Sequence, residues 1–500
     1  MTGRVSARRV PIAVALFYGV GETAIAVQMI LFGLFLLFFY TAVLHLPGTL
    51  AGLGSALGLA WDAVIDPYIG YRSDSSGGRF GRRHGYMLAG ALTMGVSFWL
   101  LLSPPHGLGT AALFGWLVAT TLLFRTSSAL FRIPYLSLGA ELSPDYDERT
   151  AIVGARSFFG VAGTLLAGWL SFALFDPGGA AAAPDRAIAA GRFSSMGLTF
   201  GLLMTLGSVG ATVATIGHRS WPEPGPALAN DPWAMLRGAR SALGNHRFRA
   251  VWVAVTLFFL AVVLNASMAL HYFSWYVRVT DPQVLGRVQV IFYLGVLAGV
   301  LLWVQAARRA EKQGLAVKAL LVTALLLTLA TAALGEGSLF GIANPLPLMA
   351  GHLLAGLAAA ALWVLPGSML ADVADDDELA GGRRREGLFF GLLNFGEKVG
   401  AGAALLLVGL LLDHVVGLVP GETPSALATA RLGWIYGVLP ACVLVVAAWR
   451  LRAYDLDRSA VAQIQAQLGR GPGSAVAAAH ADGRDRLGQP LRRPGLVEEH

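Results

Sequence analysis

The sequence has one cysteine and few charged residues. Cys442 is its only cysteine, which excludes an intrachain disulfide framework and a zinc site made of cysteines. Charged residues make up 13% of the 500 residues, about half of the share of about 25% that is typical of soluble domains. So little polar surface cannot cover a water-soluble globule, and we expect lipid to be the outer solvent of the folded chain.

Motifs of several enzyme classes are also missing. No glycine-rich loop ends in Lys-Ser or Lys-Thr, so ATP-driven transport by this chain has no support. No zinc-ligand spacing and no nucleophile elbow is present, and we expect neither an enzymatic activity nor a cofactor. The net charge of +7 does not indicate a nucleic-acid partner, because the positive residues lie mostly between apolar segments, where membrane orientation accounts for them.

Apolar residues are abundant, at 55% of the chain with a mean hydropathy of +0.62. They form segments of about 20 residues, each long enough to cross a bilayer as a helix. We predict twelve transmembrane helices, at residues 12–40, 48–71, 85–103, 110–136, 151–174, 195–217, 249–274, 287–307, 316–335, 346–371, 388–412 and 430–450. The basic N-terminus leads into an apolar run longer than a signal-peptide core, so we interpret that run as the first helix.

Arginine and lysine are concentrated in alternate connections between these segments. The basic set of loops contains Arg72, Arg79, Arg82, Arg83, Arg149, Arg219, Arg237, Arg240, Arg247, Arg308, Arg309, Lys312, Arg383, Arg384 and Arg385. The opposite set has few basic residues, namely Arg186, Arg192 and Arg278. Because basic loops stay in the cytoplasm, we predict a multi-pass protein of a bacterial-type inner membrane with both termini cytoplasmic.

The two halves of the sequence resemble each other. In each half a proline is followed by an acid, an acidic stretch and a basic entry to the next segment: Pro134, Glu141, 145–148 and Arg149, then Pro366, Asp372, 375–378 and 383–385. Parallel six-helix repeats are the architecture of the major facilitator fold. We therefore predict an all-α protein with one bundle at 1–217, a proline-rich cytoplasmic loop at 218–248, a second bundle at 249–450, and a cytoplasmic tail at 451–500 that begins amphipathic and ends disordered.

Two acids, Asp62 and Asp66, lie four residues apart in the second apolar segment. This spacing places both carboxylates on one helix face, and each costs about 2.5–3.5 kcal/mol at mid-bilayer. We expect them to face a watery cavity where H⁺ or Na⁺ balances their charge, and we expect Lys398 to pair with one of them across the halves. Glu397 points about 100° away from Lys398, and local neutralisation by it is the alternative. A structural alternative also holds for the acids: Asp66 caps a helix end, and Asp62 pairs with a nearby arginine.

Further charged residues lie inside apolar segments. Arg132 and Arg156 are candidates for holding an anionic or polyhydroxyl substrate through bidentate hydrogen bonds, with a salt-bridge gate between the halves as the alternative. Snorkelling to the membrane interface is another alternative for Arg132. Glu22 either binds substrate or pairs with an arginine. Gln28, Asn265, His271 and His352 are expected to be satisfied by hydrogen bonds between helices.

Several of these residues lie in motifs that resemble a known family. The loop with Asp74, Arg82 and Arg83 resembles the major facilitator signature between the second and third helices. Five more stretches resemble the glycoside–pentoside–hexuronide:cation symporters, which include melibiose permease: Tyr18-Gly19-Val20-Gly21-Glu22, Phe38-Phe39-Tyr40-Thr41, Trp61-Asp62 to Asp66-Pro67, Ile133-Pro134-Tyr135 to Gly139-Ala140-Glu141-Leu142, and Asp372 to Arg384-Arg385-Glu386-Gly387. The resemblance covers most of the chain, and the sodium-dependent lysophosphatidylcholine symporters of animals look like relatives with the same second-helix acids.

The resemblance implies roles for individual residues. Asp62 and Asp66 match the cation-site carboxylates, which would also be the metal ligands if the coupling ion is Na⁺; Lys398 matches the family's lysine, and Arg156 matches a substrate contact. We also predict a cytoplasmic gate, which consists of Asp74, Arg82, Arg83, Glu141 and Asp372. The sugar-binding positions of melibiose permease read Ala26, Arg132 and Leu136 here, and Ile65 and Ala129 replace polar neighbours of its cation site, which favours H⁺ over Na⁺.

The sequence thus predicts a cation-coupled symporter. By the resemblance, its solute is a glycoside or another carbohydrate, carried through alternating access by a monomer in the lipid bilayer. Two alternatives within transport are an amphipathic, lysolipid-like substrate and efflux by antiport. A receptor or scaffold on the same fold is the alternative outside transport; it predicts ligand binding without flux, and the costly buried acids argue against it.

Overall fold

The computed structural model describes residues 11–76, 80–143, 146–175, 186–218, 232–381 and 385–468. All elements in these ranges are helices: α1 Ile12–Val43, α2 Gly48–Ser75, α3 His84–Leu101, α4 Thr110–Glu141, α5 Tyr146–Phe175, α6 Arg186–Thr215, α7 Pro232–Gly244, α8 His246–Val277, α9 Pro282–Ala307, α10 Lys312–Ala333, α11 Pro345–Gly381, α12 Glu386–Val416, α13 Ala426–Leu451 and α14 Arg458–Gln467. The predicted all-α membrane architecture is confirmed.

Eleven helices in the described ranges are long and apolar enough to cross a membrane. The shorter α3, with 18 residues, lies where the third span is predicted and packs between α4 and α6. Glycines allow this close packing, since a Cβ on Gly90 would lie 2.4 Å from the backbone nitrogen of Phe131, and one on Gly95 would lie 2.3 Å from the carbonyl oxygen of Gly201. By the predicted topology, the end of the bundle with Ile12 and Leu451 is called the cytoplasmic end, and the other the periplasmic end.

Two short helices lie outside the spans. The prediction of a loop at 218–248 is wrong for its second part, because α7 begins at Pro232 and α8 at His246. Proline is favoured at the first position of a helix, where its missing N–H has no partner to lose. The predicted amphipathic start of the tail is α14, whose N-terminus is capped by Asp457, which accepts from the Ala460 N–H at 2.7 Å. The other linker prolines and residues 469–500 lie outside the described residues.

The periplasmic ends of α1, α8 and α12 share one distortion. Each changes from α-helical to π-helical turns, at Leu31–Leu36 and Phe39–Val43 in α1, at Tyr272–Val277 in α8 and at Leu411–Val416 in α12. The helices α1 and α8 open the two halves of the chain, so their shared distortion is a structural counterpart of the sequence repeat. Such π-helical turns are frequent at functional sites.

Buried apolar side chains form three separate clusters. The largest runs through the N-terminal half and joins the C-terminal half at the periplasmic end, where it contains Phe38 and Tyr40 of α1, Tyr272 of α8 and Val408 of α12. The second lies on the cytoplasmic side of the C-terminal half, and the third, around Ile65, belongs to the N-terminal half. The halves therefore share one core at the periplasmic end and keep separate cores toward the cytoplasm.

Candidate functional site

The periplasmic end is closed by a helix cap that crosses between the halves. Asp413, in the last turn of α12, accepts hydrogen bonds from the backbone N–H groups of Gly48 and Thr49, both at 2.7 Å. These groups begin α2, where the first N–H groups of a helix have no partner within the helix and favour negative charge. A residue of the C-terminal half thus satisfies a helix start in the N-terminal half.

Below this cap, α2 and α12 cross with backbone against backbone. A Cβ on Gly52 would lie 2.4 Å from the carbonyl oxygen of Leu405, and one on Gly409 would lie 2.2 Å from the carbonyl oxygen of Gly48. Small residues of this kind allow membrane helices to approach closely. The crossing therefore has no room for a methyl group while the periplasmic end is closed.

A buried histidine adds a second polar link at the same end. His271 Nε2 of α8 lies 2.9 Å from Thr41 Oγ1 of α1, and its ring packs edge-on to Phe38 with centroids 5.0 Å apart. Together with the cap and the glycine crossing, this contact seals the periplasmic end. Toward the cytoplasmic end the buried cores of the two halves are separate, and we call the space between the halves there the cleft.

In the membrane, Asp62 of α2 pairs with Arg125 of α4. Arg125 Nη1 donates to Asp62 Oδ2 at 2.9 Å, and both side chains are buried. Arg125 also lies over the ring of Phe32, 4.6 Å from its centroid, a favourable cation–π arrangement. For Asp62, the observed geometry therefore agrees with the structural alternative given above, in which this acid pairs with a nearby arginine.

Asp66 joins the two halves. Arg132 Nη2 donates to Asp66 Oδ2 at 2.6 Å, and the Lys398 ammonium of α12 donates to the same oxygen. The helix continues past Pro67 to Ser75, so Asp66 does not cap a helix end, and Arg132 binds Asp66 and is not extended to the membrane interface. The structure brings Lys398 to Asp66, one of the two partners that the sequence leaves open for it.

Glu22 and Arg156 form another pair. Arg156 Nε donates to Glu22 Oε2 at 2.9 Å, and both side chains are partly exposed. Beside them, the hydroxyls of Tyr18 and Tyr135 each donate to the other residue's carbonyl oxygen, at 2.7 and 3.0 Å. Arg156 lies 5.7 Å from the centroid of the Tyr135 ring. This arrangement is the arginine pair that the sequence left as one of two alternatives for Glu22.

The predicted cytoplasmic gate residues fall into one cluster in each half. Arg82 and Arg83 both donate to Glu141, Arg83 at 2.6 Å, and Arg83 also reaches Asp74 at 3.1 Å. In the other half Lys312 donates to Asp372 at 2.5 Å. Each cluster ties basic residues at or just before the start of one helix, α3 or α10, to an acid of the next helix, α4 or α11, a matching arrangement in the two repeats.

Further ion pairs hold the cytoplasmic face of the C-terminal half. Arg385 contacts Asp377 with two hydrogen bonds, at 2.6 and 2.9 Å. Arg247 binds Asp376 at 2.7 Å and Asp455 at 2.6 Å. Hydrogen bonding from Arg247 lowers the pKa of the Asp455 carboxyl.

The carboxylates of the cavity do not form a metal site in this state. Asp62 and Asp66 are each held by one or more bases of the protein, and the described residues contain no group of three or more His, Cys, Asp or Glu side chains that could hold a metal ion. Sodium prefers several oxygen ligands around it.

Sequence reasoning missed the most direct link between the halves. Asp413 lies near the end of an apolar segment, where an acid has the ordinary interpretation of a loop residue. The available signal is Pro47-Gly48 at the start of α2, a helix start without a capping side chain of its own. The polar residues Gln28, Asn265 and His271 have hydrogen-bond partners on other helices, as expected. For His352 the expectation is wrong, because its Nδ1 lies 2.8 Å from the carbonyl oxygen of Leu348 in the same helix.

The fold and the paired charges of the membrane helices define a secondary transporter of the major facilitator superfamily. The chain belongs to the family described as MFS/sugar transport protein, whose model matches residues 17–458. This is a family of transporters, and the chain is not an enzyme. The predicted resemblance is confirmed.

Relatives cover nearly the whole chain. An uncharacterized symporter of Synechocystis is 25% identical over 94% of this chain and 98% of its own. The inner membrane symporter YicJ of Escherichia coli is 23% identical over 91% and 94%. Sodium-dependent lysophosphatidylcholine symporter 1 of Gallus gallus is 21% identical over 91% and 88%.

Solved structures show the same fold. A bacterial homolog of the human lysosomal transporter Spinster superposes with a TM-score of 0.61 at 15% identity, covering 88% of this chain and 95% of its own. A D-xylose–proton symporter superposes with a TM-score of 0.56 at 15% identity over 89% and 97%.

Proposed function

We propose that the protein couples the uptake of a small carbohydrate-like solute to the entry of protons, by alternating access. The observation that carries this proposal is the contact of Lys398 in α12 with Asp66 in α2, because it places a titratable ion pair between the two halves within the membrane. Protonation of the carboxylate would weaken this link. An inward proton gradient could then drive the relative motion of the halves.

The choice of H⁺ over Na⁺ rests on the partners of the acids. Three basic groups, Arg125, Arg132 and Lys398, surround Asp62 and Asp66. A proton needs one carboxylate oxygen, whereas sodium needs a set of oxygens, and the buried Asp66 Oδ1 has no hydrogen-bond partner among the described residues. This free oxygen supports proton binding.

The carbohydrate class is supported by relatives and by the cleft. A putative glycoside/cation symporter of Escherichia coli is 24% identical over 90% of this chain. Arg156 and Glu22 are partly exposed. The guanidinium of Arg156 has several N–H donors and the carboxylate of Glu22 has two acceptor oxygens, a combination that suits the hydroxyl groups of a sugar or a sugar acid. We propose that this pair contacts the solute, with Arg132 next to the coupling site.

Uptake into proteoliposomes tests the proposal. A panel of labelled pentoses, disaccharides and hexuronates is offered under an imposed pH gradient, and separately under a sodium gradient. We expect accumulation of one class with the pH gradient, and its loss in Asp66→Asn with solute exchange at equal pH retained. Glu336→Gln, an exposed acid paired with Arg278 in a periplasmic loop, is the matched control. Undiminished accumulation in both Asp62→Asn and Asp66→Asn would contradict the coupling role.

An amphipathic substrate is the second candidate, because of an apolar groove between α1, α5 and α6. Its lining includes Phe17, Val27, Leu166, Phe200 and Gly207, and its cavity volume of about 270 Å³ lies just below the range of about 300–1,000 Å³ for ligand pockets. A lysolipid chain would fit such a lining. Competition between lysophosphatidylcholine and the sugars of the panel distinguishes the two candidates: inhibition of uptake at concentrations that leave the vesicles intact supports the lipid.

A further inference from the structure

Eight charged side chains lie near the middle of α1, α2, α4, α5 and α12, and seven of them are paired. The pairs are Asp62–Arg125, Glu22–Arg156, and Asp66 with both Arg132 and Lys398. The eighth is Glu397 of α12, which makes no hydrogen bond or ion pair within the described ranges. Four acids and four bases balance in number, but Asp66 holds two bases and Glu397 holds none.

Helix geometry gives the direction of Glu397. Successive residues of an α-helix are about 100° apart. Gly396 and Gly400 of α12 pack against Trp252 and Thr256 of α8, while Lys398 points to α2. Glu397 lies between these two directions. Val399, two residues further and about 200° around, is 42% exposed and lies on the outer face, so Glu397 points into the bundle.

Neighbours on the same face show where Glu397 lies along the membrane. Ala404 and Val408 follow it after seven and eleven residues, so they project in nearly the same direction, and both are fully buried in the core that joins the halves. Glu397 itself is partly exposed. It therefore lies where the closed periplasmic core ends and the open cleft begins.

Few charged groups lie on the helices that surround Glu397. From α2 come Asp62 and Asp66, and Lys398 is its neighbour on α12. The part of α8 packed here presents Trp252 and Thr256, which do not titrate. An ionised acid without a partner costs several kcal/mol within the membrane, and the nearest base is already bound to Asp66. Uptake of a proton at Glu397 needs no base to be displaced, unlike uptake at Asp62 or Asp66.

We propose that Glu397 is a second proton-binding carboxyl group, in addition to Asp66, at the bottom of the cleft. This inference rests on the proposed proton coupling and adds a site to it. One proton adds to one carboxylate oxygen, and no other bond changes. With Glu397 neutral, Lys398 has Asp66 as its one acidic partner. Release of the proton restores a second negative charge beside Lys398, so the charge on Glu397 adjusts the strength of the Asp66–Lys398 link.

Infrared difference spectroscopy of the purified protein in lipid, between acidic and alkaline pH, tests this site without any solute. A protonated carboxyl group gives a carbonyl band that is lost on ionisation. We expect a titrating band that disappears in Glu397→Gln and persists in Asp66→Asn and in the control Glu336→Gln. A band that persists unchanged in Glu397→Gln overturns the proposal.

A second variant covers the case in which Glu397→Gln does not fold. Glu397→Asp retains the carboxyl group one methylene shorter, so the band should remain but shift in frequency and midpoint; an identical band overturns the proposal. The accumulation of solute in proteoliposomes is a separate test. If the wild type accumulates no member of the panel, the proposed function fails while the spectroscopic result stands. If Glu397→Gln accumulates solute normally, Glu397 takes no part in coupling and the proposal is overturned.

Discussion

At the scale of single residues, the buried pair Asp62–Arg125 shows what a charge in the membrane requires. Both side chains are almost completely enclosed. Removing one partner leaves an uncompensated buried charge, which is far more costly than removing both, because the desolvation penalty is then no longer balanced.

We therefore predict that Asp62→Asn lowers the free energy of unfolding by about 3–5 kcal/mol, and that the double variant Asp62→Asn with Arg125→Gln recovers a large part of the loss. The measurement is denaturant unfolding in detergent micelles. The control is Glu422→Gln in a periplasmic loop, which should stay close to wild type. Equal losses in the single and double variants would contradict the account.

The sequence predicts the partner of a buried charge for some residues and not for others. Lys398 is predicted to meet an acid across the halves because a lysine in a membrane helix needs one, and it does. The partner of Asp62 remained one of two alternatives, since periodicity gives the face of α2 but not the neighbouring helix that covers it. For Glu397 the sequence offers only the alternative that it neutralises Lys398 locally. Its lack of a partner depends on where three other helices lie, which no local pattern contains.

At the scale of elements, the crossing of α2 and α12 decides how tightly the periplasmic end can close. The span of most helices follows from hydropathy, and the predicted ends lie within about five residues of the observed ones. The exceptions are α6, which already begins at Arg186, and α11, which continues to Gly381. The π-helical turns at the periplasmic ends, and α7 within a stretch expected to be a loop, follow from tertiary contacts and were not predicted.

Gly409→Ala should keep the periplasmic end from closing, because the new methyl group would lie 2.2 Å from the carbonyl oxygen of Gly48. We expect faster labelling from outside of a reporter Val43→Cys, on a Cys442→Ser background, by a membrane-impermeant maleimide. Val43 is 2% exposed in the closed state. Gly391→Ala on the same helix, with nothing near its Cβ position, is the matched control, and an unchanged labelling rate in Gly409→Ala would refute this prediction.

Asp413→Ala should also favour the open periplasmic end, by removing both acceptors from the start of α2. Loss of a helix cap costs about 0.5–2 kcal/mol, so the population ratio of the two states should shift roughly two- to thirtyfold. Asp413→Asn keeps one acceptor and should lie in between. Distances between spin labels on the periplasmic ends of the halves measure the ratio. Wild-type distances in both variants would rule out the cap as a latch.

At the scale of the whole molecule, the C-terminal half is braced on its cytoplasmic side by the tail. Arg458 of α14 donates to the carbonyl oxygens of Ala307 and Arg308, both at 2.8 Å, at the end of α9. Asp455 binds Arg247 at the start of α8. The fold class was predictable because composition and charge asymmetry act over the entire chain. The closure of the periplasmic end was not predictable, because it depends on how the two bundles meet.

The ion pair between Asp455 and Arg247, which holds the tail against the C-terminal half, should depend on pH. The pKa of Asp455 lies below the ordinary value of 3.8 because Arg247 donates to it, so it stabilises the folded state above that ordinary value, and the contribution is lost as pH falls through the lowered pKa. We predict that Asp455→Asn lowers the melting temperature at neutral pH and reduces its fall in acid. Thermal melts across the acidic range check this, with Asp281→Asn as a carboxyl control. Parallel wild-type and Asp455→Asn curves would exclude the effect.

The shared periplasmic core has a thermal consequence. Opening that end exposes buried apolar side chains of both halves, such as Phe38 and Val408, to water in the cleft. Exposure of apolar surface raises the heat capacity, so the equilibrium between the two states of the carrier should curve with temperature. Hydrophobic contacts weaken on cooling. The carrier of a cold cell would therefore spend more of its time open to the outside than the same carrier in a warm one.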